Sequence, residues 1–238
     1  MVFAVVLVEL TYVVAFFISL GVFFFCLSHG LALLCGMIST LQLPVMETFY
    51  TVQGEGAYAG APAYFIRLAG CDVGCVWCDV KESWDAEKHP LQSVESLTEG
   101  VIQSGAPICV ITGGEPTMHN LSELTQLLQA QGIRTHLETS GTQPLTGEWD
   151  WITFSPKKFK APLEEYHRVA HELKIIINHK SDLEWGQAHA DRMNSGAMLY
   201  MQPEWDKREV TQGLILDYIR TKTNWRISVQ THKYLGVD

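Results

Sequence analysis

Three cysteines crowd one short stretch of this 238-residue chain: Cys71, Cys75 and Cys78, in GCDVGCVWCD from Gly70 to Asp79. Thiols this close in sequence have the spacing of a metal or redox site rather than of a disulfide framework. Three thiolates on one loop can each bind one iron of a cubane cluster, leaving the fourth iron open to a substrate or cofactor. Gly70 and Gly74 let the backbone wrap closely around such a group. A structural zinc is the competing reading. It needs four ligands, and the fourth would have to be a histidine such as His89 or His119, at no familiar spacing. Of the other cysteines, Cys109 lies in an apolar run and reads as a core strand residue, while Cys26 and Cys35 fall in an apolar N-terminal stretch.

Two further segments carry chemical potential. ITGGEP, from Ile111 to Pro116, follows a strand-like run. Its paired glycines allow close backbone approach to a ligand, and Glu115 offers a carboxylate. Gln53, Gly54 and Glu55 form a polar, glycine-flexed loop ahead of the strand that leads to the cysteines. Arg67 sits inside that strand, four residues before Cys71. A buried charge is costly unless paired, so Arg67 is either one half of an ion pair or aimed at an anionic ligand. A guanidinium fork suits a carboxylate well.

These residues need a scaffold. Strand-like runs start at Ala63, Ile108, Ile133, Trp151, Glu172, Ala197 and Trp225, each rich in β-branched or aromatic residues. Between several of them lie helical patterns: SVESLTEGVIQS with Ser93 as cap, LSELTQLLQAQG ending on Gly132, DLEWGQAHADRM and DKREVTQGLILDYIRTK. Strand–helix–strand repetition predicts parallel pairing through right-handed crossovers. The expected fold is α/β, an open or partial barrel of parallel strands spanning residues 43–238. The chemically interesting loops fall at carboxyl ends of strands, where ligands bind in parallel α/β architectures. His136, His171 and His179 read as surface or structural residues. Met198 and Met201 fit a packed strand.

Residues 1–42 differ from the rest. They hold a single charged residue, Glu9, and the first Lys or Arg of the chain is Arg67. The run from Val2 to Leu27 is long and apolar enough to cross a bilayer. It lacks the basic start and small-residue cleavage site of a secretory signal, and the flanking basic residues that set orientation. A membrane anchor, an uncleaved export signal, and upstream sequence ahead of a true start at Met37 are the three readings. Export conflicts with a need for reduced thiols. The formal net charge of −9 argues against direct binding to a nucleic-acid backbone.

The cysteine spacing, with Trp77 just before the third cysteine and with ITGGEP downstream, resembles the radical S-adenosylmethionine superfamily. That resemblance implies a 4Fe–4S cluster on Cys71, Cys75 and Cys78 whose open iron binds S-adenosylmethionine. It implies one-electron cleavage of the sulfonium and hydrogen abstraction by a 5′-deoxyadenosyl radical. It also implies that the GGEP segment contacts the methionine amino group, and that ETSG (from Glu138) and SPK (from Ser155) lie near the cofactor. Together with FYTVQGEGAYAGAPAYFIRLAGC and the terminal NWRISVQTHKYLG, these segments closely resemble the 7-carboxy-7-deazaguanine synthase family from about Pro44 onward.

This family converts 6-carboxy-5,6,7,8-tetrahydropterin to 7-carboxy-7-deazaguanine with loss of ammonia, in the formation of queuosine. The resemblance implies that Val52, Gln53, Gly54, Arg67 and Thr112 contact the pterin. It implies that Trp77, Cys78, Asp79, Gly114, Ser155, Pro156, Lys157, Gln202, Pro203, Glu204 and Trp205 line the S-adenosylmethionine site. It further implies Mg²⁺, a reducing donor such as a flavodoxin or ferredoxin, a homodimer, and a cytoplasmic setting, with membrane attachment only if residues 1–42 are retained. His232, Lys233 and Tyr234 match a family segment without an assigned role. One position departs: where the family often has a Thr or Ser hydroxyl after the Cys-Asp pair to help hold Mg²⁺, this chain has Val80, which predicts weaker magnesium dependence. The alternatives are a small activase of a glycyl-radical enzyme and a non-catalytic zinc or iron–sulfur module.

Overall fold

A computed structural model describes residues 41–237. The apolar stretch up to residue 40, with Cys26, Cys35 and Met37, lies outside the described residues. Nine strands form one sheet: β1 (Gln42–Val52), β2 (Pro62–Leu68), β3 (Leu91–Ser93), β4 (Ile108–Gly113), β5 (Arg134–Thr139), β6 (Trp151–Phe154), β7 (Glu172–Ile177), β8 (Met198–Pro203) and β9 (Trp225–Ile227). Their order is β3-β1-β2-β4-β5-β6-β7-β8-β9. From β2 to β9 every pairing is parallel. The barrel is not closed, because β3 and β9 are both edges.

All seven expected strands form. The sequence pattern did not reveal β3, or β1, which pairs antiparallel with β2 and so places the Gln53–Glu55 loop inside a hairpin. β1 is hard to read because its pairing register shifts between Val45 and Glu47, which breaks the inside–outside alternation.

Among the described residues, six α-helices accompany the strands: α1 (Val94–Ser104), α2 (Ser122–Ala130), α3 (Glu165–Val169), α4 (Ser181–Ala190), α5 (Arg208–Thr221) and α6 (Thr231–Leu235). In α1 the Ser93 hydroxyl accepts from the Ser96 N–H at 3.2 Å, as its sequence position predicts. Val94, Leu97 and Val101 recur at helical spacing and are buried. Burying each such side chain contributes roughly 2 kcal/mol. The short α3 and α6 have no comparable periodic pattern and were not visible in the sequence.

The sheet sorts its side chains by a period of two. Ile66 and Leu68 on β2, Cys109 and Ile111 on β4, Leu137 on β5, Leu173, Ile175 and Ile177 on β7, and Leu199 and Met201 on β8 join the main core. Cys109 is thus the core residue that its apolar run predicts. The alternate positions face the barrel interior. At the lower end they are apolar, with Ala63, Phe65, Ile108 and Val110 forming a small second core. Toward the carboxyl ends they become Arg67, Thr112, Glu138, Lys174 and Gln202, which line a cavity. The bottom is filled by aromatic rings: Tyr58 packs against His136 at 4.5 Å and Trp151 at 5.0 Å, and Trp151 stacks on His171 at 5.1 Å. Those histidines are structural, and burial pushes the His136 pKa down to about 4.

Candidate active site

Strand register brings the first two motifs together. Leu68, at the end of β2, pairs with Gly113, at the end of β4. The cysteine loop and the TGGEP turn therefore leave the sheet side by side. Gly113 adopts φ +140°, and a Cβ there would lie 2.0 Å from the Leu68 carbonyl oxygen. At Gly114 a Cβ would meet the Gly70 oxygen at 2.4 Å and Cys71 at 2.8 Å. Two glycines are what this contact permits. Gly114 N–H donates to Leu68 at 3.0 Å and Glu115 N–H donates to Gly70 at 2.8 Å, tying turn to loop.

Glu115 itself does not line the cavity. It is buried, and its carboxylate accepts from the Thr117 hydroxyl at 2.6 Å, the Thr139 hydroxyl at 2.5 Å, the Ser140 N–H at 2.7 Å and the Ser140 hydroxyl. The acid of the ITGGEP segment is thus a clamp between the β4 and β5 loops. Gly113 and Gly114 are the parts of that segment, with Thr112, that reach the cavity.

The cavity holds about 470 Å³ at the carboxyl ends of the strands. All three loop cysteines line it, as do Val52, Gln53, Gly54, Arg67, Trp77, Asp79, Thr112, Gly114, Ser155, Lys157, Gln202, Pro203, Glu204 and Trp205. Among the residues expected there, Pro156 lines instead a neighbouring cavity of about 230 Å³. As the turn between two lining residues it has no polar side chain to offer. Arg67 is an ion pair and a cavity residue at once: its Nε lies 2.7 Å from Glu47, and its guanidinium stands 5.8 Å from the Phe49 ring. Lys157 donates to the Ser155 carbonyl at 2.5 Å and hydroxyl at 2.6 Å, and lies 6.0 Å from the Trp77 ring. Burial lowers its pKa.

Sequence reasoning missed the polar layer beneath. Lys174 ion-pairs with Glu55 and, at 3.3 Å, with Glu138. Gln53 donates to Glu138 at 2.9 Å, and Gln230 donates to Glu55 at 2.9 Å. The available signal was Lys174 itself, one charge within the apolar run ELKIIIN, at the same alternation as Glu172. Phe49, Phe65 and Trp84 also line the cavity and were not anticipated.

The C-terminal segment closes one side. Thr231 donates from both its N–H and its hydroxyl to the Gly54 carbonyl, each at 2.9 Å. A Cβ at Gly54 would sit 1.9 Å from the His232 ring, so only glycine admits this docking. Lys233 bridges to Asp79 at 2.9 Å and lies 5.0 Å from the Trp205 ring, which Tyr234 meets edge-on at 5.3 Å. Val80 also lines the cavity and supplies no ligand atom.

The donor set suits an iron–sulfur cluster, which takes one thiolate per iron. Burial pushes the Cys75 thiol up to about 11 and raises Cys71 as well, so iron must displace protons on binding. The histidines that a zinc site would recruit are otherwise engaged: His89 Nε2 with the Glu82 carbonyl at 2.8 Å, His119 Nε2 with the Ala69 carbonyl at 2.7 Å. Among the described residues no three His, Cys, Asp or Glu side chains converge on one metal ion.

A three-cysteine loop after one parallel strand, clasped by a double-glycine turn after the next, defines a radical S-adenosylmethionine protein. Residues 65–175 match the model of the Radical SAM superfamily. The 7-carboxy-7-deazaguanine synthases of Flavobacterium psychrophilum and Synechocystis are each 49% identical to this chain, over 82% and 83% of it and 93% and 95% of their own lengths. That of Escherichia coli is 35% identical over 83% of this chain and all of its own. The crystal structure of QueE from Escherichia coli superposes with a TM-score of 0.71 at 34% identity, covering 80% of this chain and 95% of that one. The chain belongs to the 7-carboxy-7-deazaguanine synthase family of radical S-adenosylmethionine enzymes.

Proposed function

We propose that this chain converts 6-carboxy-5,6,7,8-tetrahydropterin to 7-carboxy-7-deazaguanine with loss of ammonia, making the deazapurine precursor of queuosine. One observation carries the reading. A single cavity joins the three-cysteine loop to the Gln53–Glu55 loop and Arg67, so cluster and pterin share one enclosure. Cys71, Cys75 and Cys78 hold the 4Fe–4S cluster, which with S-adenosylmethionine supplies hydrogen-abstracting radical chemistry. Trp77, Asp79, Gly114, Ser155, Lys157 and the Gln202–Trp205 segment position the S-adenosylmethionine, with Pro156 fixing the turn between Ser155 and Lys157. Val52, Gln53, Gly54 and Thr112 enclose the pterin. Glu47 engages the Nε edge of Arg67, and the terminal fork is the part left to the substrate carboxylate.

Magnesium lacks a complete protein site at this corner. Val80 has no ligand atom, and Asp79 is engaged by Lys233. A Mg²⁺ ion here is held by substrate and water, a mode this ion tolerates. The catalytic domain is residues 43–238. It works as a cytoplasmic homodimer, takes electrons from a flavodoxin or ferredoxin, and makes no direct contact with nucleic acid. Among the described residues no helix is long and apolar enough to cross a membrane. Any membrane attachment rests on residues 1–42.

The test is anaerobic: cluster-loaded, reduced protein with S-adenosylmethionine and the carboxypterin, followed by mass analysis. The expected product is 7-carboxy-7-deazaguanine with release of ammonia. An intact cluster that cleaves S-adenosylmethionine and leaves the pterin unchanged refutes the assignment.

A further inference from the structure

Lys174 points from β7 into the barrel with its side chain 4% exposed. A buried ammonium is costly unless paired. Here it is shared by two carboxylates from separate elements: Glu55 in the β1–β2 loop and, at 3.3 Å, Glu138 on β5. Each glutamate is held from a second side, Glu55 by Gln230 and Glu138 by Gln53, both at 2.9 Å. The Gln53 side-chain Oε1 accepts from the Glu55 N–H at 3.0 Å, which locks the two halves together. Glu55, Glu138 and Lys174 all line the cavity. None of the groups expected to touch the pterin accounts for the lysine.

We propose that Lys174 is a positioning residue for the pterin, holding Glu55 and Glu138 as fixed, ionised acceptors for N–H donors of the heterocycle. The inference rests on reading the cavity as a pterin site. Two carboxylates facing the same small space would share a proton without a cation between them. The ionisation directions agree. Burial works against the Lys174 charge, yet Glu138 and Glu55 hold its pKa above the ordinary lysine range. Burial likewise opposes the Glu55 charge, yet Lys174 holds that carboxyl below the usual range.

Other ionisable groups near this array do not replace the lysine. Glu172, two residues earlier on β7, is spent on the Ala57 N–H at 2.8 Å. Lys157, beyond β6, is bonded to Ser155. His232 on α6 has a lowered pKa, chiefly through burial, which favours its neutral form.

Two variants of the cluster-loaded protein test this, with pterin affinity measured by equilibrium titration between pH 6 and 8.5. In Lys174→Met the affinity falls about tenfold or more at pH 6 and partly recovers at pH 8.5, as the shared proton leaves. KM for the pterin follows, kcat changes less, and S-adenosylmethionine affinity stays within twofold. Lys174→Arg keeps the charge and keeps a pH-independent affinity. A methionine variant with wild-type affinity across this range overturns the proposal. So does one that loses S-adenosylmethionine affinity by the same factor, as a merely structural lysine would. If the methionine variant does not fold, the arginine variant decides: a pH-independent affinity supports the role, and a pH-sensitive one overturns it. Wild-type protein that binds the pterin without converting it refutes the reaction and leaves the lysine to the binding data. Wild-type protein that does not bind the pterin removes both.

Discussion

The cysteine loop and the polar layer beneath it gather reactive groups in opposite ways. The loop takes three thiols from positions 71 to 78 of one segment. The layer draws Glu55, Glu138, Lys174 and Gln230 from four elements, with the Glu55–Gln230 pair 175 residues apart. A local ligand set depends on its own backbone and on the turn that clasps it. A distributed set depends on the register of the whole sheet. Damage to the first should therefore remove a cofactor and spare the fold, while damage to the second should register as stability and pH dependence.

The largest expected effect tests the local side. Cys75→Ala should lower bound iron after reconstitution to background and abolish product formation, with the far-UV circular dichroism of the chain unchanged. Full iron retention in that variant would place the ligands elsewhere. Next comes the clamp joining the two loops. Glu115→Ala leaves the Thr117, Thr139 and Ser140 donors without their acceptor inside a buried site. Unsatisfied buried groups cost about 1–3 kcal/mol each, so urea unfolding should show a loss of roughly 3 kcal/mol or more. A loss below about 1 kcal/mol would mean that the loops do not depend on this carboxylate.

This contrast also explains what the sequence made legible. Cys71, Cys75 and Cys78 are legible because the ligand set proposed for the cluster is a matter of local spacing. The parallel strands are readable because each is an apolar run between turn residues. Glu115 was legible as a motif residue but not as a clamp, because its partners Thr139 and Ser140 lie on another loop. Lys174 is not legible because a lysine in a strand shows neither its partners nor its side of the sheet until the register is known. β1 stayed hidden because its irregular pairing with β2 erases the alternation that marks a strand.

The distributed side has its own pH signature at Glu172. Burial raises this carboxyl from 4.5 to about 6, against the pull of Lys174 and the Ala57 N–H. Between those values the folded protein holds a proton that the unfolded chain has released, so stability falls as pH rises through that window. The whole loss is about 2 kcal/mol and is complete above pH 6 to 7. Glu172→Gln can still accept from Ala57 and has no charge to bury. Its unfolding free energy relative to wild type should therefore improve by up to about 2 kcal/mol between pH 4.5 and pH 7. A difference that stays constant with pH would show that Glu172 ionises freely in the folded state.

The smallest effect returns to the cysteine loop, at the position where local spacing and substrate chemistry meet. Val80 follows the Cys78–Asp79 pair and lines the cavity with a side chain that carries no oxygen. The neighbouring carboxylate is committed to Lys233 at 2.9 Å. Val80→Thr adds one hydroxyl at a half-buried position, so the change is a ligand atom gained rather than a core rebuilt. Since Mg²⁺ binds through few protein groups and several waters, one added ligand should strengthen magnesium activation a few-fold, equivalent to about 1 kcal/mol or less. The measurement is the ratio of turnover with and without Mg²⁺ in the two proteins. Equal ratios would place magnesium away from this residue. A larger ratio in the threonine variant would tie the strength of magnesium activation to this one side chain, in the most local part of the site.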